Sequence, residues 1–254
     1  MKLTQLAAQL YTCRDTLKNT AGLSRTLRRL REIGYTAVQL SGLGPIPYPE
    51  VARILADTGM LCCVTHEPSQ DILSAPEKII DRLRILDCKI TAYPFPKDID
   101  FSSSRAVDRF IAQLEHAAQT LAQAGQTLCY HNHNHEFRKL NNIPILDLIY
   151  TGAPALHAEL DTYWVQYGGG DILTWCRKLN SRLTVMHLKD YQTTSANQPL
   201  WSEIGNGNLD FKTIIPAAET SGCQWFIVEQ DTCPGDPIDS LAISCRYIQQ
   251  NLIS

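Results

Sequence analysis

The polar residues that close successive apolar runs recur at a nearly constant interval, and that interval constrains the fold more than any other feature. Runs that read as strands cover 6–13, 37–40, 61–66, 89–93, 127–133, 156–161, 183–188 and 225–229. Their polar closures come at steps of 26 to 28 residues, with two longer steps of 40 and 42. Parallel strands need crossover connections of a dozen or more residues, so a repeat of this length reads as one strand plus one helix. Between the runs, apolar residues fall at three- and four-residue steps: Leu23, Leu27 and Leu30; Phe110, Leu114, Ala117 and Leu121; Ile238, Leu241, Cys245 and Ile248. These are helix stripes. Eight such units in 254 residues predict an α/β chain folded as a single (β/α)8 barrel over 1–254, a fold of typically about 250 residues. An open doubly wound sheet is the alternative, but no GxGxxG and no Walker lysine comes after the first run. Ser24, Ser74 and the serines at 102–104 stand where helix N-caps are expected. The long segment 191–210, with Pro199, Gly205 and Gly207, reads as a lid.

Composition removes several classes of partner. With 23 basic and 26 acidic residues the net charge is −3, so no positive field favours nucleic acid. No stretch approaches the ~20 apolar residues of a membrane span, and the first residues lack the apolar core of a signal peptide. The nine cysteines include no CxxC pair and sit largely in apolar runs, which predicts reduced core thiols and a cytoplasmic protein.

In such a barrel the chemistry collects where the strands end at their C-terminal side. The polar residues there include Arg14, Gln39, His66, His131, His133, Glu136, Asp161, His187 and Glu229. Imidazoles and carboxylates on adjacent strands can converge on one divalent ion, and a mixed N/O set suits Mn, Co, Zn, Fe or Ni better than Ca. In HNHNHEF (131–137), alternation sends His131, His133 and His135 to one side while the strand lasts. In LDTYW, Asp161 can ligate while Trp164 forms an apolar wall, although an Asp there also reads as a helix N-cap. In MHLKD, His187 can ligate and Lys189 can hold a substrate oxyanion. In IVEQD, Glu229 closes an apolar run, where a buried carboxylate calls for a metal or another cation.

Taken together, HNHNHEF, LDTYW, MHLKD, IGNGNLDF and IVEQD, with the opening QLYTCRD, resemble the sugar phosphate isomerase/epimerase family. These are xylose isomerase-like TIM barrels that also include ketose 3-epimerases, inosose dehydratases and endonuclease IV. The resemblance implies one divalent metal held by a Glu, an Asp, a His and a Glu on strands five to eight. Asp161, His187 and Glu229 match the last three, and His131 stands where the epimerases carry Glu. The activity it implies is that of a metal-dependent sugar isomerase or epimerase, with Glu229 and Glu136 as proton-transfer groups acting through a metal-stabilised enediolate. Arg14, His66, His133, Trp164 and Lys189 would bind a small carbohydrate, with Glu136 touching substrate rather than metal. The missing strand-five Glu keeps a second reading open, a metal-dependent lyase or dehydratase on a keto-sugar, keto-inositol or 3-keto-glycoside. A third is a sugar-binding barrel without catalysis. The three-zinc endonuclease type lacks its basic stripe here. The resemblance is compatible with a homo-oligomer.

Overall fold

Eight short parallel strands pair in chain order and close on themselves. In the computed structural model, which describes residues 1–253, they are β1 (Leu6–Gln9), β2 (Ala37–Leu40), β3 (Leu61–His66), β4 (Ile90–Tyr93), β5 (Thr127–His131), β6 (His157–Asp161), β7 (Leu183–Leu188) and β8 (Trp225–Val228). Each pairs with its sequence neighbours, and β1 with β8 closes the ring. The repeat length therefore specified the fold, a closed parallel (β/α)8 barrel.

Three strands stop earlier than their apolar runs. After Gln9 the chain turns into a 3-10 helix (Leu10–Thr16), where the Gln9 side chain accepts the Tyr11 amide. β5 ends at His131 and β8 at Val228, so His133 and Glu229 project from the loops above. Helix caps differ in a similar way. The first long helix (Thr20–Ile33) starts before Ser24 because Asn19 accepts the Gly22 amide at 2.9 Å, and Gly22 lies where a Cβ would meet the Thr16 carbonyl. Ser74 closes the helix Ser69–Ser74 instead of opening one, whereas Ser103 caps Ser104–Gln123 as expected.

The two long steps hold real structure. After β4 comes a loop and then that 20-residue helix. After β7 the expected lid is a hairpin, Asp190–Thr193 against Pro199–Ser202, with Tyr191 opposite Trp201. Asp190 also pins the loop beyond the hairpin, its carboxylate accepting the amides of Gly205, Gly207 and Leu209 at 3.1–3.2 Å. Gly207 packs so closely on that carboxylate that any side chain would collide with it.

Two apolar layers hold the barrel. Outward strand residues such as Val38, Tyr130, Leu160, Met186 and Phe226 pack under the helices in the larger layer. The lumen is plugged by small residues, among them Ala7, Ala37, Cys63, Cys129, Val185 and Ile227. Two residues beyond members of this plug stand Gln9, Gln39, His131 and His187 on their strands and Glu229 just past β8, all buried. Since side chains alternate with a period of two, one face of the sheet passes from apolar plug to polar floor within a single layer. All nine cysteines are free thiols, and all but Cys233 are buried. No helix among the described residues is long and apolar enough to cross a membrane.

Candidate active site

The polar floor opens into a cavity of about 320 Å³ at the C-terminal end of the strands. Its walls carry His66 and Phe95 on one side, His131, His133 and Trp164 in the middle, and Lys189, Glu229 and Asp231 on the other. The expected set of His131, Asp161, His187 and Glu229 converges below it, with one ligand atom from each lying within 4.8 Å of all the others. Neighbouring register explains the convergence: Asp161 faces His187 across β6 and β7, and Ile227 faces His187 across β8 and β7, which brings Glu229 above.

Asp161 does two things at once. One oxygen accepts the Trp164 amide at 2.9 Å and caps the short helix Thr162–Tyr167. The other, Oδ2, is buried with no hydrogen-bond partner. Burial pushes the Asp161 carboxyl up to about 7 against the pull of Lys189 and His187. For His187, burial works to lower the pKa, but Glu159 and Glu229 outweigh it and raise it to about 10. His187 Nδ1 lies 3.0 Å from Glu229 Oε2 and 3.8 Å from Asp161 Oδ2. His131 goes the other way, because burial and the neighbouring His187 hold it well below the ordinary histidine value.

Lys189 is almost wholly buried, and its ammonium sits 2.9 Å from both Glu229 Oε2 and Asp231 Oδ2 and 3.5 Å from Asp161 Oδ2. The rings of Trp201 and Trp164 stand 5.1 and 5.4 Å away, within cation–π range. Trp201 arrives on the hairpin after β7, so that segment completes the wall beside the lysine. One ammonium thus serves three carboxylates, with His187 beside two of them. The unpartnered Asp161 Oδ2 leaves this floor with a carboxylate oxygen free to take a further cation. Two carboxylates and two imidazoles are also a donor set that suits a first-row divalent ion, so the residues present fit such an ion.

Two expected contributors lie outside the cavity. Glu136 is fully buried, and its oxygens accept the Tyr130 hydroxyl at 2.8 Å and the His133 amide at 2.9 Å. It braces the turn after β5, because the strand ends at His131 and a short 3-10 turn (His135–Phe137) folds the carboxylate back under it. Arg14 donates to the carbonyls of Tyr11 and Asp231 and lines a separate cleft. It therefore supports the chain after β8 from outside. His133 does line the cavity, with its pKa lowered to about 4 mainly by burial.

Strand-end reasoning names Gln39 without giving it a role and passes over Glu159 and Asp231, yet all three join the site. Glu159 sits two residues before Asp161, so the same alternation that aims Asp161 inward aims Glu159 inward one layer lower. Its charge midway along a buried strand was the available signal. Glu159 Oε1 accepts from Gln39 Nε2 at 2.6 Å, and Oε2 lies 2.5 Å from His66 Nε2.

Comparison with known proteins agrees with the barrel fold. Residues 27–250 match the model of a family described as xylose isomerase-like TIM barrel. A sugar phosphate isomerase/epimerase from Parabacteroides distasonis superposes with a TM-score of 0.84 at 18% identity, covering 97% of this chain and 98% of that one. A probable 3-DHS dehydratase, AsbF, from Bacillus anthracis gives 0.76 at 12% identity, covering 99% and 100% of the two chains. A xylose isomerase-like TIM barrel protein from Mycobacterium smegmatis in complex with magnesium gives 0.76 at 13% identity, covering 98% and 97%. No curated protein sequence matches the chain.

Proposed function

Because this chain belongs to the xylose isomerase-like TIM barrel family, we propose that it is a divalent-metal-dependent sugar isomerase that moves a proton on a carbon next to a carbonyl. The observation that carries the reading is the four-residue donor set under the cavity, with Asp161 Oδ2 buried and unpartnered. Asp161, His187, Glu229 and His131 would hold the ion, which when bound supplies a Lewis acid that makes the neighbouring C–H more acidic.

The chain's own groups divide the remaining work. Glu229 Oε2 is engaged by Lys189 and His187, which leaves Oε1 as the oxygen to take the substrate proton. Lys189 also holds Asp231 at 2.9 Å beside it, where burial and the nearby Glu229 raise the Asp231 pKa. Trp164 and Phe95 supply apolar surface for the C–H faces of a small carbohydrate, and His66 and His133 supply polar contacts for its hydroxyls.

All cavity-facing carboxylates and the ammonium stand on the wall made by β7 and β8, and Glu136 is withdrawn from the opposite one. Epimerisation needs a proton returned to the opposite face of the carbon, and a one-sided set suits transfer along a single face. The same one-sidedness favours a second reading, elimination of a β-substituent, with the Asp231 carboxyl protonating the leaving group. A panel of keto-sugars, keto-inositols and 3-keto-glycosides incubated with Mn²⁺ in D₂O separates these. Deuterium at one carbon without loss of a substituent identifies the isomerase, and an enone identifies the lyase. The absence of exchange or turnover on every member, with Mn²⁺ bound, would leave a binding barrel in place of the enzyme.

A further inference from the structure

Glu159 carries the deepest carboxylate of the lumen, fully buried on β6 and directly opposite His131 in the register of β5. Three imidazoles from three other strands face its Oε2: His66 Nε2 at 2.5 Å, His131 Nδ1 at 3.3 Å and His187 Nε2 at 3.4 Å. Its Oε1 takes the Gln39 amide, and Gln39 in turn accepts His187 Nε2 at 2.6 Å and Gln9 Nε2 at 2.9 Å. The ring geometry shows the consequence. His187 has committed Nε2 to this floor, so Nδ1 is the nitrogen it presents to Glu229 and Asp161. His131 has turned Nδ1 to Glu159, so Nε2 is the nitrogen left for the cavity that it lines.

We infer that Glu159 is the positioning residue of this site, setting from beneath the ring orientation of His66, His131 and His187. Carboxylates that contact the far nitrogen of a ligating imidazole fix its tautomer and rotation, and their loss weakens metal binding by about 10- to 100-fold. What the rings are positioned for rests on the metal reading above, but the positioning itself does not. Glu159 touches neither substrate nor the reacting carbon and acts through the imidazoles.

The test is Glu159→Gln in the full chain, which keeps the shape and removes the charge. Two readouts are taken: side-chain ¹⁵N resonances of the histidines in the metal-free protein, and affinity for Mn²⁺ by direct titration. The expected result is that the His66, His131 and His187 ring signals shift while His116 and His135 stay, and that Mn²⁺ binds about 10- to 100-fold more weakly. Unmoved ring signals overturn the inference. So do shifted signals with unchanged Mn²⁺ affinity, because Glu159 would then be a buried counter-charge only. Should the wild type take up no Mn²⁺, the metal reading falls, and the ring signals alone decide the positioning. If Glu159→Gln does not fold, Glu159→Asp, which keeps the charge but withdraws it by one methylene, is read by the same criteria.

Discussion

Lys189 holds its ammonium 2.9 Å from Glu229 Oε2 in a pocket that leaves the lysine 1% exposed. It is the cation nearest to Asp161, Glu229 and Asp231, and burial alone would work to discharge it. The three carboxylates outweigh burial and raise its pKa instead.

Removing that charge strands buried carboxylates. Lys189→Met should therefore destabilise the metal-free protein by about 3–5 kcal/mol, the usual cost of breaking a buried ion pair from one side. A bound divalent ion restores much of the missing charge, so saturating Mn²⁺ should raise the melting temperature of the variant more than that of the wild type. Calorimetry in EDTA and in Mn²⁺ checks both. Equal melting temperatures in EDTA would mean that the lysine does not hold the carboxylates together.

Asp161 separates capping from ligation. Asparagine caps a helix as well as aspartate does, so Asp161→Asn should melt near the wild type in EDTA while losing Mn²⁺ affinity by more than about tenfold, or 1.4 kcal/mol. Asp161→Ala should lose the cap too, at a further cost of about 1 kcal/mol. Wild-type Mn²⁺ affinity in the asparagine variant would remove Asp161 from the ligand set.

For Glu229, ligation and proton transfer should part company. Glu229→Gln retains an oxygen for the ion but cannot accept a proton, so turnover and deuterium wash-in should both fall by at least about 100-fold. Metal affinity should drop far less. Wash-in that persists at the wild-type rate would assign the base elsewhere, with Asp231 the next carboxylate in the cavity.

Glu136 carries the pH prediction. Burial works to raise its pKa, but the hydrogen bond and charge of His135, with His133 and Tyr130, outweigh burial and hold it below the ordinary carboxylate value. A carboxylate depressed in the folded state contributes stability that is present above its unfolded pKa of about 4.3 and lost as pH falls through the lower folded value. Glu136→Gln should therefore lower stability at neutral pH by about 1–3 kcal/mol and flatten the acid limb of the stability curve. Turnover should stay within a few-fold of the wild type. Abolished turnover in a stably folded variant would return Glu136 to the reaction.

The barrel was legible because its determinants are local and periodic. A strand and its crossover helix take a nearly constant length, so Leu40, His66, Tyr93, Asp161 and His187 mark the ends of units without any knowledge of contacts. Asp161, His187 and Glu229 were legible one by one because each closes such a unit, whereas their joining with His131 as one ligand set was implied by the family resemblance; in the closed ring the four side chains lie close together. Glu136 and Arg14 mark the limit of that reasoning. Both come after a strand, yet whether a side chain there turns into the mouth depends on the loop backbone. Tyr130 and the His133 amide turn Glu136 under, and the carbonyls of Tyr11 and Asp231 draw Arg14 outside.

What the sequence by itself determined is the alternation of apolar and polar residues along each strand and the spacing between strands, and these dictate the closed barrel and the end at which polar groups gather. Only the tertiary structure decided which polar groups meet. Glu159 reads in isolation as one more polar residue along β6. It becomes the partner of His66, His131 and His187 because closure of the ring brings β3, β5, β6 and β7 within reach of one carboxylate. The physical reason is that a buried charge is tolerated only where its partners converge, and for residues 66, 131, 159 and 187 that convergence spans separations no local pattern encodes.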